Sequence, residues 1–390
     1  MNQTYISDSI LYIGVNDKTL DLFESQYAVP NGVSYNSYVI MDEKNVVMDT
    51  VDSRAGEQWF ANLEQALAGE PVDYLVVSHM EPDHGANIKR LAELHPEAKV
   101  VGNAKTFSMI DQFFELDLTG RKVLVKEGDT LETGTHTLQF FMAPMVHWPE
   151  VMVTYEQSEK VLFSADGFGK FGALDVEEDW EEEAARYYLN IVGKYGPQVQ
   201  ALLKKAAALE IAAICPLHGP VLTDNPGYYI EKYQTWSSYQ PEEKGVLVAY
   251  ASIHGNTAEA ARRQAAFLRE QGVDKVELID LSRCDMSLAV RKAFCYDRLV
   301  VAAATYDGGI FPCMEEFLLH LKSKNYQKRT VGLMENGSWA PLAAKAMRGI
   351  LETMKEITIA GPVVTVKSTV KEDSLAAMKE LAAELAKSPA

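Results

Sequence analysis

The chain has 390 residues, 47% hydrophobic and 24% charged, the balance of a globular protein too long for one ordinary core and long enough for two domains. Its formal net charge of -18 argues against a nucleic-acid binder and against docking on anionic membrane, which would both repel it. No apolar run approaches the roughly 18 residues of a membrane-spanning helix, the first residues lack the basic start and apolar block of a secretory signal, and Cys215, Cys284, Cys295 and Cys313 form no Cys-x-x-Cys pair, which argues against a disulfide framework or a cysteine-rich metal site and makes a reducing cytoplasm the expected compartment.

Short β-rich runs come first, at 10–15, 37–40 and 46–50, separated by Asn, Asp, Gly and Pro. An amphipathic helix is expected over 54–69. The apolar run 72–78 reads as a buried strand. It delivers His79-Met80-Glu81-Pro82-Asp83-His84, where four of six side chains can bind a metal and Pro82 stiffens the turn. Ile88, Leu91 and Ala92 follow at helical spacing, so the cluster lies on a loop between strand and helix. Three more strand-like runs end at similar residues. The run 138–143 precedes His147, 161–165 leads to Asp166, and 211–217 leads to His218. In a layered α/β domain such strand ends converge on one edge. His95, His136 and His320 lack this placing and read as ordinary surface or helix-end residues. The histidines 79, 84, 147 and 218 with Glu81, Asp83 and Asp166 are too many ligands for one tetrahedral ion. They suit two metals sharing a bridging carboxylate. Imidazoles and carboxylates without thiolate favour iron, manganese or zinc. The acidic run 175–183 reads first as a solvated helix start, with acids near the N-terminus, and could also serve a small basic partner.

The pattern His79-x-Glu81-x-Asp83-His84, then His147, Asp166 and His218, resembles the His-x-His-x-Asp-His signature of the metallo-β-lactamase fold. Glu81 stands where the zinc hydrolases place a second histidine, and that change is the mark of the flavodiiron proteins, also called A-type flavoproteins. Val33-Ser34-Tyr35-Asn36-Ser37-Tyr38, His147-Trp148-Pro149-Glu150 and Ala185-Arg186-Tyr187-Tyr188-Leu189-Asn190-Ile191 match the same family. The resemblance implies an αββα sandwich with two iron ions. His79, Glu81 and His147 would hold one, Asp83, His84 and His218 the other, and Asp166 would bridge. An anionic oxygen at position 81 adds negative charge and hardness, which favours iron over zinc.

The polar stretch 236–244, with Pro241, is the expected linker. It divides the chain into 1–243 and 244–390. Beyond it the pattern becomes strand, Gly-containing loop, helix, strand, an α/β unit with a doubly wound parallel sheet. A strand at 245–251 runs into Ser252-Ile253-His254-Gly255-Asn256-Thr257, and a helix is expected from about 258 to 270. Small hydroxyl residues and a glycine there make a phosphate nest at a helix N-terminus. The absence of a Gly-x-x-x-x-Gly-Lys string argues against a nucleoside triphosphate. Strands at 298–304 and 330–334 enter two further loops, Thr305-Tyr306-Asp307-Gly308-Gly309-Ile310 and Asn336-Gly337-Ser338-Trp339-Ala340. Each offers glycine backbone and an aromatic ring, as a flat isoalloxazine requires. This half resembles a flavodoxin, with a last strand near 363–366 and a helix at 374–387. The resemblance implies FMN held by those three loops. His254 departs from the small or hydroxyl residue common there.

A flavin carrier joined to a di-metal site implies electron delivery for a reduction. Two ferrous ions and reduced FMN together hold the four electrons that convert dioxygen to water; converting two nitric oxide molecules to nitrous oxide needs two. The family resemblance implies these two substrates, a head-to-tail homodimer or a dimer of two such dimers, and an external donor of the rubredoxin type. No rubredoxin or flavin-reductase stretch follows Lys387, so a separate donor is expected. The segment 23–27 is a candidate for choosing between the gases. Two alternatives are a dinuclear zinc hydrolase with a flavodoxin appendage and a plain flavodoxin-type carrier.

Overall fold

The structure is a computed structural model, and it describes residues 4–387. The chain divides into two compact units. One runs to Tyr188 and resumes over Pro197–Gln234; the other takes Leu189–Gly196 and the chain from Thr235 onward.

The first unit is a sandwich of two sheets. The larger runs Thr4–Tyr5, Ile10–Tyr12, Tyr38–Ile40, Val46–Met48, Tyr74–Val76, Lys99–Gly102 and Lys122–Leu124 in spatial order. Its first four strands pair antiparallel and its last four parallel. The smaller sheet orders Thr130–Glu132, Thr137–Met142, Met152–Glu156, Val161–Phe163 and Ala213–Cys215, with only the last pair parallel. One apolar cluster joins the sheets: Ile10, Ile40, Val46, Met48 and Val76 pack with Leu138, Phe140, Met152, Val161 and Phe163. Burying that apolar area is the main stabilising term. The strands are short, and Tyr74–Val76, Thr137–Met142, Val161–Phe163 and Ala213–Cys215 end a few residues before His79, His147, Asp166 and His218. The helix expected over 54–69 is a 3-10 turn, Ser53–Ala55, followed by Gly56–Leu67. Ala68 ends it at φ 51.

The second unit is a parallel sheet in the order Val276–Asp280, Glu243–Ala251, Tyr296–Tyr306, Arg329–Asn336, Ile357–Val366. Numbered by sequence this is 2-1-3-4-5, the flavodoxin-like order. The helices Asn256–Glu270 and Glu372–Lys387 share one apolar cluster with the sheet, through Ala260, Ala261, Leu268, Met378, Leu381 and Leu385. Gly332 permits the close approach, since a Cβ there would lie 3.2 Å from Leu381 and Leu385.

The stretch expected as a polar linker is built into this unit. Tyr239 is buried, and its carbonyl accepts from Arg329 Nη1 at 2.8 Å. The Glu242 N–H donates to Cys295 O at 2.9 Å, and its carboxylate pairs with buried Arg291. Asn190 explains why 189–196 belongs here too, donating to Ser287 O at 3.1 Å. A break between 243 and 244 would fall inside the strand Glu243–Ala251. Among the described residues, no helix is long and apolar enough to cross a membrane.

Candidate metal centre and cofactor cleft

In the first unit the motif residues follow the strand Tyr74–Val76. Pro82 occupies the first turn of the helix Pro82–Gly85, where a missing N–H costs nothing. Its side chains meet His147, Asp166 and His218 in two groups. His79, Glu81, His147 and Asp166 form one; Asp83, His84 and His218 form the other.

Glu81 Oε2 lies 3.3 Å from His79 Nε2 and 3.0 Å from His147 Nε2. Asp83 Oδ2 lies 3.4 Å from His84 Nε2 and 3.2 Å from His218 Nε2. Asp166 faces both groups. Its Oδ2 is 3.3 Å from His79 Nε2 and 3.2 Å from His147 Nε2, while its Oδ1 is 3.2 Å from His84 Nε2.

These separations test the fit to metal ions. An ion about 2.0–2.2 Å from each ligand sets neighbouring ligand atoms about 3 Å apart. Both oxygens of Asp83 and Asp166, both ring nitrogens of His84 and Nε2 of His218 are buried with no hydrogen-bond partner. Buried polar atoms without partners are costly and uncommon. Apart from His84 Nδ1, they gather at shared centres with no proton donor to satisfy them, as the ligands of two cations do. The residues fit two metal ions.

Residues around the cluster fix ring orientation. His218 Nδ1 lies 2.8 Å from Ser34 O. A carbonyl only accepts, so Nδ1 carries the proton and Nε2 faces the centre that His218 shares with Asp83 and His84. Gly219 N donates to Ser34 Oγ at 2.7 Å. Asn36 Nδ2 donates to Pro216 O and Gly219 O at 2.8 and 2.7 Å. The stretch 33–38 is thus the cradle of the His218 loop. His79 Nδ1 lies 2.8 Å from Glu150 Oε1, which also accepts from Met80 N at 2.8 Å. Asp49 accepts from Ser78 N and His79 N at 2.6 and 3.3 Å.

The field favours positive charge at the centre. Burial alone would push the Asp166 carboxyl up, yet the imidazoles of His79, His147 and His84 hold it well below the usual carboxylate range. Burial opposes a charge on His147, while Asp166 and Glu81 raise its imidazole to about 9. Tyr187 is buried with its ring 5.5 Å from His218. Burial and the carboxylates of Asp166, Asp83 and Glu81 push its phenol well above the ordinary value, which keeps the hydroxyl protonated. Phe23, from the segment flagged for gas choice, lies edge-on to His218 at 5.3 Å.

Ser34 and Glu150 lie in stretches that match the family by sequence, but no role was read for either, and Asp49 was not singled out. His136 is a correction: it is buried, not a surface residue. Its Nδ1 lies 3.0 Å from Glu156 Oε1 and its Nε2 lies 2.9 Å from Ser9 Oγ. His95 caps a helix and His320 lies near a helix end, both half-buried. The acidic run is largely paired. Asp175 meets Lys18, Glu178 meets Lys170, Glu181 meets Lys232 and Glu183 meets Arg186.

The second unit carries a cleft of about 490 Å³ at the C-terminal ends of its strands, within the usual range for a cofactor site. Ile253, His254, Asn256 and Thr257 line it from the first loop. Thr305, Tyr306, Asp307 and Gly308 line it from the second, and Asn336, Gly337, Ser338, Trp339 and Ala340 from the third. Ala304, Leu342 and Ser368 join them. The helix begins at Asn256, two residues earlier than expected. Gly255 precedes it at φ 91 with no side-chain cap, so N–H groups of its first turn are available to an anion. Ser252 and Gly255 do not line the cleft; Gly255 N donates to Ser252 Oγ at 3.1 Å, closing the loop on itself. Gly309 and Ile310 pair back on Tyr306 and Thr305 as a short strand, away from the lining. Thr305 Oγ1 accepts from Leu342 N at 2.9 Å. Ser368 belongs to a fourth loop, tied in by Asn336 through two bonds of 3.1 Å. The cleft suits a flat ring with an anionic tail.

A sandwich carrying a paired His and carboxylate cluster, with a flavodoxin-like unit, defines a two-domain redox protein. Residues 33–219 match the family model described as ODP family beta lactamase, and 247–368 match Flavodoxin domain. A nitric oxide reductase of Moorella thermoacetica is 29% identical over 98% of this chain and 97% of its own. A rubredoxin-oxygen oxidoreductase of Megalodesulfovibrio gigas is 28% identical over 89% and 88%. Among solved structures, the rubredoxin oxygen:oxidoreductase of Desulfovibrio gigas superposes with a TM-score of 0.92 at 26% identity, covering 99% of this chain and 98% of that one. The flavodiiron protein of Giardia intestinalis shares the fold, at 0.89 and 23% identity over 99% and 96%. The chain belongs to the flavodiiron protein family.

Proposed function

We propose that this protein is a flavodiiron reductase, passing electrons from an external rubredoxin-type donor through FMN to a di-iron site that reduces dioxygen to water, nitric oxide to nitrous oxide, or both. The observation that carries this reading is the convergence of seven buried or half-buried donors, four of them with unpartnered atoms, in a chain that also holds a cofactor-sized cleft. When bound, the irons and the flavin supply electron storage and open coordination positions.

The chain's own residues do the rest. His79, Glu81 and His147 would hold one iron and Asp83, His84 and His218 the other, with Asp166 facing both groups. Glu150 and the Ser34 carbonyl keep His79 and His218 in the tautomer that presents Nε2. Tyr187 holds a proton on its hydroxyl within the field of the three carboxylates. In the other half, taken as 244–390, the helix N-terminus at Asn256 would receive the FMN phosphate, and Tyr306 and Trp339 would offer their faces to the ring.

The working unit is a head-to-tail homodimer in the cytoplasm. Support comes from the apolar rim of the flavin cleft, where Trp339 is 93% exposed and Tyr306 45%, surface that a second subunit would cover.

Exchange of Glu81 for histidine tests the metal assignment. E81H is expected to retain iron poorly and lose gas reduction, because a neutral ligand replaces a hard anion. Full iron content with undiminished activity would refute the role given to Glu81. Sedimentation tests the dimer, and a fully active monomer would refute it.

A further inference from the structure

We propose that an apolar cavity beside the helix spanning 196–206 is a docking and entry site for the diatomic gas, an inference that rests on the gas-reducing function above. The cavity holds about 30 Å³. That exceeds the roughly 10–15 Å³ that one water-sized probe occupies, and it is enough for a two-atom gas. Protein cores ordinarily close such gaps.

Its lining is dry. Val153, Leu162, Val199 and Leu203 form the walls. The polar side chains at its edge are engaged elsewhere. Ser164 Oγ donates to Gly167 O at 2.6 Å. Lys205 Nζ donates to Glu127 Oε2 and Met142 O, both at 2.9 Å. Tyr233 OH accepts from Phe168 N at 2.6 Å. A water there would lack the convergent partners it needs, whereas apolar cavities of this kind stay empty of water and take up xenon or small apolar molecules.

Its position gives it a direction. The outer lining residues Leu202, Ala206, Leu209 and Ile230 are half-buried, while Val146 and Phe168 at the inner end are buried. Val146 immediately precedes His147, and Gly167 with Phe168 immediately follows Asp166. The cavity therefore leads from the surface to the loops that carry one proposed iron ligand and the proposed bridge. Dioxygen and nitric oxide partition into apolar space more readily than water does. An apolar path concentrates them beside the metals while excluding the solvent that would compete there.

The test uses the full-length protein loaded with iron and FMN. Its crystals are pressurised with xenon. In parallel, Ala206→Phe, and Ala206→Leu as a milder plug, are assayed for iron and FMN content and for reoxidation of the reduced centre at low and saturating gas. Xenon should occupy the wild-type cavity and be lost from the plugged variants. These should bind iron and FMN normally, reoxidise several-fold more slowly at low gas, and recover the wild-type rate at saturation. No xenon in the wild type, or plugged variants with an unchanged low-gas rate, would overturn the proposal. Xenon binding in an iron-loaded wild type whose reduced centre ignores both gases would overturn the gas-reduction reading instead, and the gas role of the cavity with it.

Discussion

In the first unit the candidate ligand atoms lie on buried or half-buried imidazoles and carboxylates, each aimed at a common centre and several without a hydrogen-bond partner. In the second unit the cleft is walled by exposed loops: His254 is exposed, Tyr306 is 45% exposed and Trp339 93%. Both sites use loops at the C-terminal ends of strands, but their physical demands are opposite. A buried set of three carboxylates must find positive charge or pay heavily in desolvation. An open cleft of backbone N–H groups and rings is satisfied by water when its ligand leaves. The two sites should therefore respond very differently to loss of what they bind.

The sharpest way to break this contrast is to strip each cofactor in turn. Removing metal by chelation should lower the stability of the first unit by an amount on the order of 3–5 kcal/mol, the scale of an uncompensated buried charge. Removing FMN should lower the stability of the second unit by less, by only the RT ln(1 + L/Kd) of its binding at free ligand concentration L, because water satisfies the emptied cleft. Calorimetry on the two stripped forms checks both, and equal shifts would dissolve the distinction.

Glu150 sharpens it next. This carboxylate accepts from His79 Nδ1 and fixes the ring. Glu150→Leu should weaken metal affinity about 10–100-fold, as removal of such outer partners does, with FMN affinity untouched. Competition with a chelator of known affinity reads the effect.

Trp339→Ala bears on the other side. Loss of one stacking face should cost FMN binding about 1 kcal/mol, seen by fluorescence titration, with metal content unchanged.

The smallest effect concerns pH and a carboxylate that touches none of the seven. Partial burial opposes charge on Asp42, but the N–H groups of Thr135 and His136 and the Thr133 hydroxyl hold its carboxyl well below the usual range. A lowered folded-state pKa stabilises the fold above the unfolded value, and that stability is lost as pH falls toward the folded value. The urea midpoint of wild type should exceed that of Asp42→Ala at pH 7, with the gap narrowing below about pH 4, near the unfolded carboxylate value.

How much of each site could be read from sequence follows the same contrast. The candidate ligands were legible because four share one hexapeptide and the other three stand after apolar strands. What holds them was not. Glu150 is 71 residues from His79, and Ser34 is 184 from His218, so no local pattern links them. His136 was misread for the same reason, since Ser9, its partner at Nε2, lies 127 residues away. In the flavin half the strands and three loops were legible from alternating apolar runs and glycines. Ser368 was not, because its place depends on Asn336 across the parallel pairing of two strands. The polar stretch 236–244 looked like a linker because sequence hides where Tyr239 and Glu242 find their partners, Arg329 and Arg291.

Metal and flavin content of the purified protein, followed by anaerobic reduction and exposure to dioxygen and nitric oxide in turn, tests the central claim most directly. Two irons and one FMN per chain, with rapid reoxidation by at least one gas, is the predicted result, and the ratio of the two rates names the preferred substrate. Two zinc ions per chain, or a reduced flavin indifferent to both gases, would contradict it.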